Sequence, residues 1–315
     1  MTVAVEKPRI ALKNILFTTD YSDSSRHALP FATALARHYG SHLYIVNIVE
    51  QIPMTSVPMD VMPPDLELDR DRSTKQMEKF VHTDELNGVS SETVVDSGFL
   101  WPVVADMVQK RKIDLVVLGT HGRGPVKRLL MGSGAEEISR HCNCPVLTVG
   151  PNVDISRAHK TKLDKILFAT DFSAGSVHAL GLALALTAEH NAQLIMIHVV
   201  QPAAVPLDLT DELIEESETK LKNLIPPEEM PSKVPVCLTL VGTPSQQVLN
   251  FAVHENADLI VIGMHKGTEL SSHWPNEFSA KVISHAHCPV LSVLGERKHA
   301  KSEEHHRNVD PTSLP

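Results

Sequence analysis

Positive charge is in deficit in this chain: 29 Lys and Arg stand against 38 Asp and Glu, a net charge of −9. That balance matches neither the phosphate backbone of nucleic acid nor an anionic membrane surface. Long apolar runs are missing too. None approaches the roughly 20 residues needed to cross a bilayer, and residues 1–13 carry no apolar core of the kind a secretory signal needs. Cysteine is scarce: Cys142, Cys144, Cys237 and Cys288 are the whole complement and show no disulfide framework, which fits a reducing, cytoplasmic setting. No Cys or His group has the paired C-x2-C or H-x3-H spacing of a structural zinc site, although His141-Cys142-Asn143-Cys144, His285-Ala286-His287-Cys288 and His305-His306 cluster such residues. Cys144 and Cys288 each precede a proline, where a small buried thiol packs well. No metal site is expected. Two glycine signatures are also absent: no G-x4-G-K-[ST] occurs, and no G-x-G-x2-G follows a first strand.

What remains is a globular composition, 42% hydrophobic and 21% charged, in 315 residues, enough for two domains with a core each. The most informative stretch is Gly119-Thr120-His121-Gly122-Arg123-Gly124, followed by Gly132-Ser133-Gly134. It comes after an apolar run, Ile113 to Leu118, that reads as a buried parallel strand. Glycines at a strand end let bare backbone approach a ligand. Nine residues separate Gly122 from Gly132, and a helical pattern starts at Ser133. Glycine amides at one end, a helix N-terminus with a hydroxyl at the other, and Arg123, Lys127 and Arg128 between them make a phosphate cradle.

The chain repeats itself. Phe17-Thr18-Thr19-Asp20-Tyr21-Ser22 returns 151 residues on as Phe168-Ala169-Thr170-Asp171-Phe172-Ser173. Ile113-Asp114-Leu115-Val116-Val117-Leu118-Gly119 returns 144 residues on as Ala257-Asp258-Leu259-Ile260-Val261-Ile262-Gly263, and Cys144-Pro145-Val146-Leu147 returns as Cys288-Pro289-Val290-Leu291. The proline- and methionine-rich stretch from Ile52 to Pro64 accounts for the difference between the two offsets; it reads as a loop, with Met54, Met59 and Met62 in it. These spacings predict two units, 1–152 and 160–295, a polar junction between them, and a disordered polar tail, 296–315.

Each unit reads as strands alternating with helices, a parallel sheet covered on both faces. In the first, strands are expected at Asn14–Thr18, His42–Val49, Glu92–Asp96, Ile113–Leu118 and Cys144–Val149. Helices are expected from Ser22 as N-cap with a kink at Pro30, from about Asp65 to Leu86, from Pro102 to Lys110, and from Ser133. Ligands of such sheets sit beyond the carboxyl ends of strands at the switch in strand order. Asp20, Ile48 and Gly119 fall at strand ends. Asp20 has two readings: a carboxylate that accepts hydrogen bonds from a ligand, or an Asx turn and helix cap, the second supported by its recurrence as Asp171.

The spacing G-x2-G-x9-G-S, the strand Asn14-Ile15-Leu16-Phe17 running into Thr18-Thr19-Asp20-Tyr21-Ser22, and the ending Cys144-Pro145-Val146-Leu147-Thr148-Val149 together resemble the universal stress protein family. The resemblance covers about residues 12–150 and 163–295. It implies an α/β fold of two tandem, doubly wound, parallel-sheet domains of Rossmann-like type. It also implies that the first copy binds ATP or a related adenine nucleotide, with or without Mg2+. The residues it implicates are Thr18, Thr19, Asp20, Ile48 (through its backbone, against the base), Leu118, Gly119, Gly122, Arg123, Gly132, Ser133 and Gly134. Family domains dimerise through their last strands, so the two copies are expected to pair internally, Val146–Val149 against Val290–Val293, with a further homodimer left open. The implied role is nucleotide-dependent stress signalling through a protein partner, not catalysis. Two competing classes are an ATP hydrolase or adenylate-forming enzyme, for which no acidic pair supplies an evident metal site, and a nucleotide-free scaffold.

The second copy departs from the pattern. Gly122, Gly132, Ser133 and Gly134 are matched by Lys266, Asn276, Glu277 and Phe278. A carboxylate about 5 Å from a phosphate charge costs roughly 3 kcal/mol at an effective dielectric near 20. The second copy is therefore expected not to bind ATP.

Overall fold

Apolar runs bounded by polar turns, each followed by a helix-forming stretch, build the alternation that the sequence predicts. In the computed structural model, described over residues 10–51, 66–81, 84–120, 132–160, 162–201, 210–264 and 277–295, the first copy contributes β1 (Asn14–Thr18), α1 (Asp23–Tyr39), β2 (His42–Glu50), α2 (Leu66–Val81), β3 (Ser91–Gly98), α3 (Leu100–Lys110), β4 (Leu115–Gly119), α4 (Ser133–His141) and β5 (Val146–Val149). The second contributes β6 (Lys165–Ala169), α5 (Ala174–His190), β7 (Gln193–Val200), α6 (Thr210–Asn223), β8 (Val236–Val241), α7 (Pro244–His254), β9 (Leu259–Met264), α8 (Phe278–His285) and β10 (Val290–Leu294). The Pro/Met stretch 52–64 and the tail 296–315 lie outside the described residues.

All ten strands form one sheet in the order β3-β2-β1-β4-β5-β10-β9-β6-β7-β8. Within each copy neighbouring strands are parallel, and the order reverses between β1 and β4 and again between β6 and β9. The copies join through β5 and β10, antiparallel, with Leu147 opposite Leu291 at the centre of the pairing. This is the internal last-strand pairing that the family resemblance implied, and it removes two exposed sheet edges.

Period-two alternation assigns the strand residues to the two faces. Ile15, Phe17, Ile166 and Phe168 point to one face, where a single apolar core runs through both copies beneath α1, α2, α5 and α6. Leu16 and Val116 point to the other, in a core closed by α3 and α4, while Leu167 and Ile260 enter a separate core under α7 and α8. The molecule is thus continuous on one face and divided on the other.

α1 begins where the sequence places it: the Ser22 side chain accepts from the Ser25 amide, and Gly40 ends the helix at φ 65°. It continues as one helix across Pro30, so the expected kink does not divide it. The junction between copies is ordered as well. Val153 and Ala158 are buried in the shared core, and the His27 Nε2 atom lies 2.6 Å from the Val153 carbonyl oxygen. Asp258 holds the far end of this junction: its carboxylate accepts from Lys160 Nζ at 2.7 Å and from the amides of Asp164 and Lys165 at 2.7 and 3.1 Å. Asp114 does the same for Lys13 and Asn14 in the first copy. The repeated aspartate before each fourth strand is a staple for the start of the first. All four cysteines are free, and burial pushes the Cys288 thiol up to about 12.

Candidate functional site

The turn Thr-Asp-aromatic-Ser follows β1 and β6 alike, and its chemistry is local. Thr19 Oγ1 accepts from the Tyr21 amide at 2.9 Å, and Asp20 Oδ1 accepts from the Ser22 amide at 3.1 Å and the Ser22 hydroxyl at 2.6 Å. Thr170, Asp171 and Ser173 repeat these bonds. Tyr21 and Phe172 both take the left-handed conformation, at φ 63° and 61°, so that strain belongs to the turn. One oxygen of Asp20 is thereby committed to structure. The other, Oδ2, is buried and has no hydrogen-bond partner among the described residues.

Asp20 lines a cleft of about 730 Å³ at the carboxyl ends of β1, β2 and β4, in the switch between β1 and β4. Thr18, Thr19, Asp20, Ile48, Leu118, Gly119, Gly132, Ser133 and Gly134 all line it. Gly122 and Arg123, with Lys127 and Arg128, lie outside the described residues. The ends of their loop are tied together: the Gly132 amide donates to the Thr120 carbonyl at 2.7 Å. α4 then starts at Ser133 with Gly132 as its cap, and the cap makes no side-chain hydrogen bond to the first turn.

Ile48 acquires a reason from strand geometry. Main-chain groups alternate sides along a strand. The Leu43 amide points to the β3 side, bonding the Ser90 carbonyl, and Val46 accepts from the Thr19 amide on the β1 side. Ile48, two residues beyond Val46, therefore presents its N–H and C=O on the side where β1 has already ended.

Gly119 has a second reason to be glycine besides its place on the cleft: a Cβ there would sit 2.6 Å from the Ser24 carbonyl oxygen in the first turn of α1. Gly263 has the same constraint, 2.4 Å from Ser176 Cα. Close packing of helix on strand explains why this glycine persists in both copies. Gly134 is tight only against the end of the Leu100 side chain, at 2.6 Å.

Several lining residues were not foreseen: Asn47 on β2, and Asp69, Arg72, Ser73 and Gln76 on α2. Asn47 Nδ2 donates to the Thr19 carbonyl at 2.7 Å, and Ser73 Oγ donates to Asn47 Oδ1 at 2.6 Å. The repeat contained a signal for them. Ser217, 144 residues after Ser73, is also buried. His198, 151 residues after Asn47, bonds the Thr170 carbonyl through Nδ1 at 2.9 Å.

In the second copy, Phe278 opens α8 and is buried in the core with Ile262, Met264 and Val282. Glu277 bonds Lys281 at 2.7 Å and its side chain is 73% exposed. Its repulsion of a phosphate is therefore screened well below the roughly 3 kcal/mol of a partly buried charge. Lys266 and Asn276 lie outside the described residues.

The universal stress protein family model matches residues 11–150 and again residues 162–293. The chain belongs to that family. Among similar relatives, a universal stress protein of Methanocaldococcus jannaschii is 28% identical over 148 residues, which cover 44% of this chain and 81% of the relative. One from Thermus aquaticus is 33% identical over 137 residues, 41% of this chain and 96% of the relative. A Mycobacterium tuberculosis member is 26% identical over 224 residues, 70% of this chain and 73% of its own. Among solved structures, a universal stress protein from Archaeoglobus fulgidus superposes with a TM-score of 0.65 at 19% identity, covering 91% of this chain and all of that one. The family's fold thus extends over both copies. Among the described residues no helix is long and apolar enough to cross a membrane.

Proposed function

We propose that the first copy binds one adenine nucleotide in the cleft between β1 and β4, and that the second copy is a structural partner that binds none. The observation that carries this reading is the orphaned Asp20 Oδ2. A buried carboxylate oxygen without a donor costs free energy, so the site is complete only when a hydroxyl or amino group arrives. A nucleoside supplies both. The base would lie along β2, where Ile48 offers one donor and one acceptor of the main chain, and the phosphates would point to the α4 N-terminus at Ser133. Asp20 repels phosphate and so fixes which end goes where.

The described carboxylates on the cleft, Asp20, Glu50 and Asp69, are not gathered into a three-ligand cluster. They do not fit a resident Mg2+; the ion would come with the phosphates and keep most of its water. We assign the protein a binding and signalling role in the response to stress, in which nucleotide occupancy sets the state that a partner reads.

Calorimetry with ATP tests the reading. One site per chain is expected, and Ser133→Glu should weaken it by at least about tenfold, since a carboxylate then faces the phosphates at the helix N-terminus. Two equivalent sites, or unchanged affinity in the variant, would refute it.

A further inference from the structure

α1 and α5 are counterparts about the β5–β10 seam, and positions that lie on a twofold axis face their own counterparts. His38 is the counterpart of Glu189, 151 residues away, and the two meet there: His38 Nε2 lies 3.7 Å from Glu189 Oε1. His190, the last residue of α5, stacks its ring on His38 with centroids 5.7 Å apart and planes 21° from parallel. The ligand atoms of His38, Glu189 and His190 all fall within 4.8 Å of one another.

We propose that these three side chains bind one transition-metal ion of the zinc type, which links the end of α1 to the end of α5. Two imidazoles and one carboxylate are a zinc-binding set, with a fourth position left to water. Tetrahedral coordination needs the ligand atoms about 3.3 Å apart, given metal–ligand distances near 2.0 Å. His38, with 39% of its side chain exposed, has room for that movement.

The surroundings prepare the site. The second Glu189 oxygen, Oε2, accepts from the Ile10 amide at 3.3 Å, which orients the carboxylate as outer-shell partners of metal ligands do. The Leu163 amide reaches His190 Nδ1 at only 3.4 Å, a weak bond that a change of tautomer gives up at small cost. A plain His38–Glu189 ion pair, with the His38 side chain partly exposed, would contribute little and gives the second imidazole no role.

The test uses the full chain, stripped with chelator and titrated with zinc in a calorimeter. His38→Gln and Glu189→Gln should each weaken one zinc equivalent by more than roughly tenfold, a loss that outer-shell changes alone can reach. A control with Cys142→Ser, Cys144→Ser, His305→Ala and His306→Ala should keep that equivalent. Co2+ in its place should give visible d–d bands without an intense thiolate charge-transfer band. Melting temperatures of the metal-free variants establish that they are folded. Zinc affinity unchanged in both His38→Gln and Glu189→Gln, or a Co2+ spectrum of thiolate type that the control abolishes, would overturn the proposal.

Discussion

Gly119 and Gly263 show that one residue can carry two reasons at once. The glycine loop made Gly119 a ligand-facing position, and it lines the cleft, but a Cβ there would also meet the backbone of Ser24. Nothing in a single sequence distinguishes a glycine that admits a ligand from one that admits a helix; the recurrence at Gly263 was the clue. Gly119→Ala and Gly263→Ala should both destabilise the protein by about 1–3 kcal/mol, because backbone cannot yield as a flexible side chain does. Urea unfolding measures this, and no cost at either position would show that the helix packing does not require a glycine there. Asp20→Asn separates the two duties of the aspartate. The amide oxygen can keep the Ser22 bonds made by Oδ1, while the orphaned Oδ2 position becomes a donor. Stability should hold and nucleotide affinity should fall by about 1.5–3 kcal/mol, the scale of a hydrogen bond to a charged group. Equal affinity in wild type and variant would show that Oδ2 faces no nucleoside donor.

At the scale of elements, strands were legible where apolar residues run together and less so where a neighbour sets the length. β1 begins and ends where the sequence put it, whereas β3 extends to Ser91 and Gly98 because it pairs residue by residue with β2 over its whole length. α2 stops at Val81, short of the expected Leu86, and residues 84–86 form a separate turn of 3-10 helix. The charged pattern carried no stop signal before Gly88. The cleft residues of α2 were hidden for a related reason: which face of a helix meets the strand ends depends on how it docks, and local periodicity shows only which face is apolar. The seam is the element-level feature most open to measurement. Val146, Leu147, Val290 and Leu291 are buried at the pairing of β5 with β10. Their amides should exchange with solvent at the slowest rates in the molecule, those set by global unfolding. Fast exchange along both strands would mean the two copies sit differently in solution.

For the whole molecule, the repeat predicts two units paired through their last strands. On one face they also share a core, since Phe17, Leu147, Phe168 and Leu291 belong to the same buried cluster. Periodicity cannot reveal this, because a core formed between copies uses the same apolar pattern as one formed within a copy. The expected consequence is one cooperative thermal transition for the full chain, with the calorimetric and van't Hoff enthalpies in agreement. A nucleotide bound by the first copy should raise that single transition for both, by mass action on the native state. Two resolved peaks, only one of them moved by ATP, would show that the halves unfold separately.

The antiparallel seam also changes how the assembly responds to dilution. Two separate chains joined through their last strands would come apart below their dissociation constant, and a cell making few copies would hold mostly monomers. Here the junction, fastened at Asp258, supplies the partner at a fixed effective concentration however scarce the protein is. It also lets each half vary alone. In a dimer of identical chains any substitution appears twice, so Glu277 and Phe278 could not enter one site without entering the other.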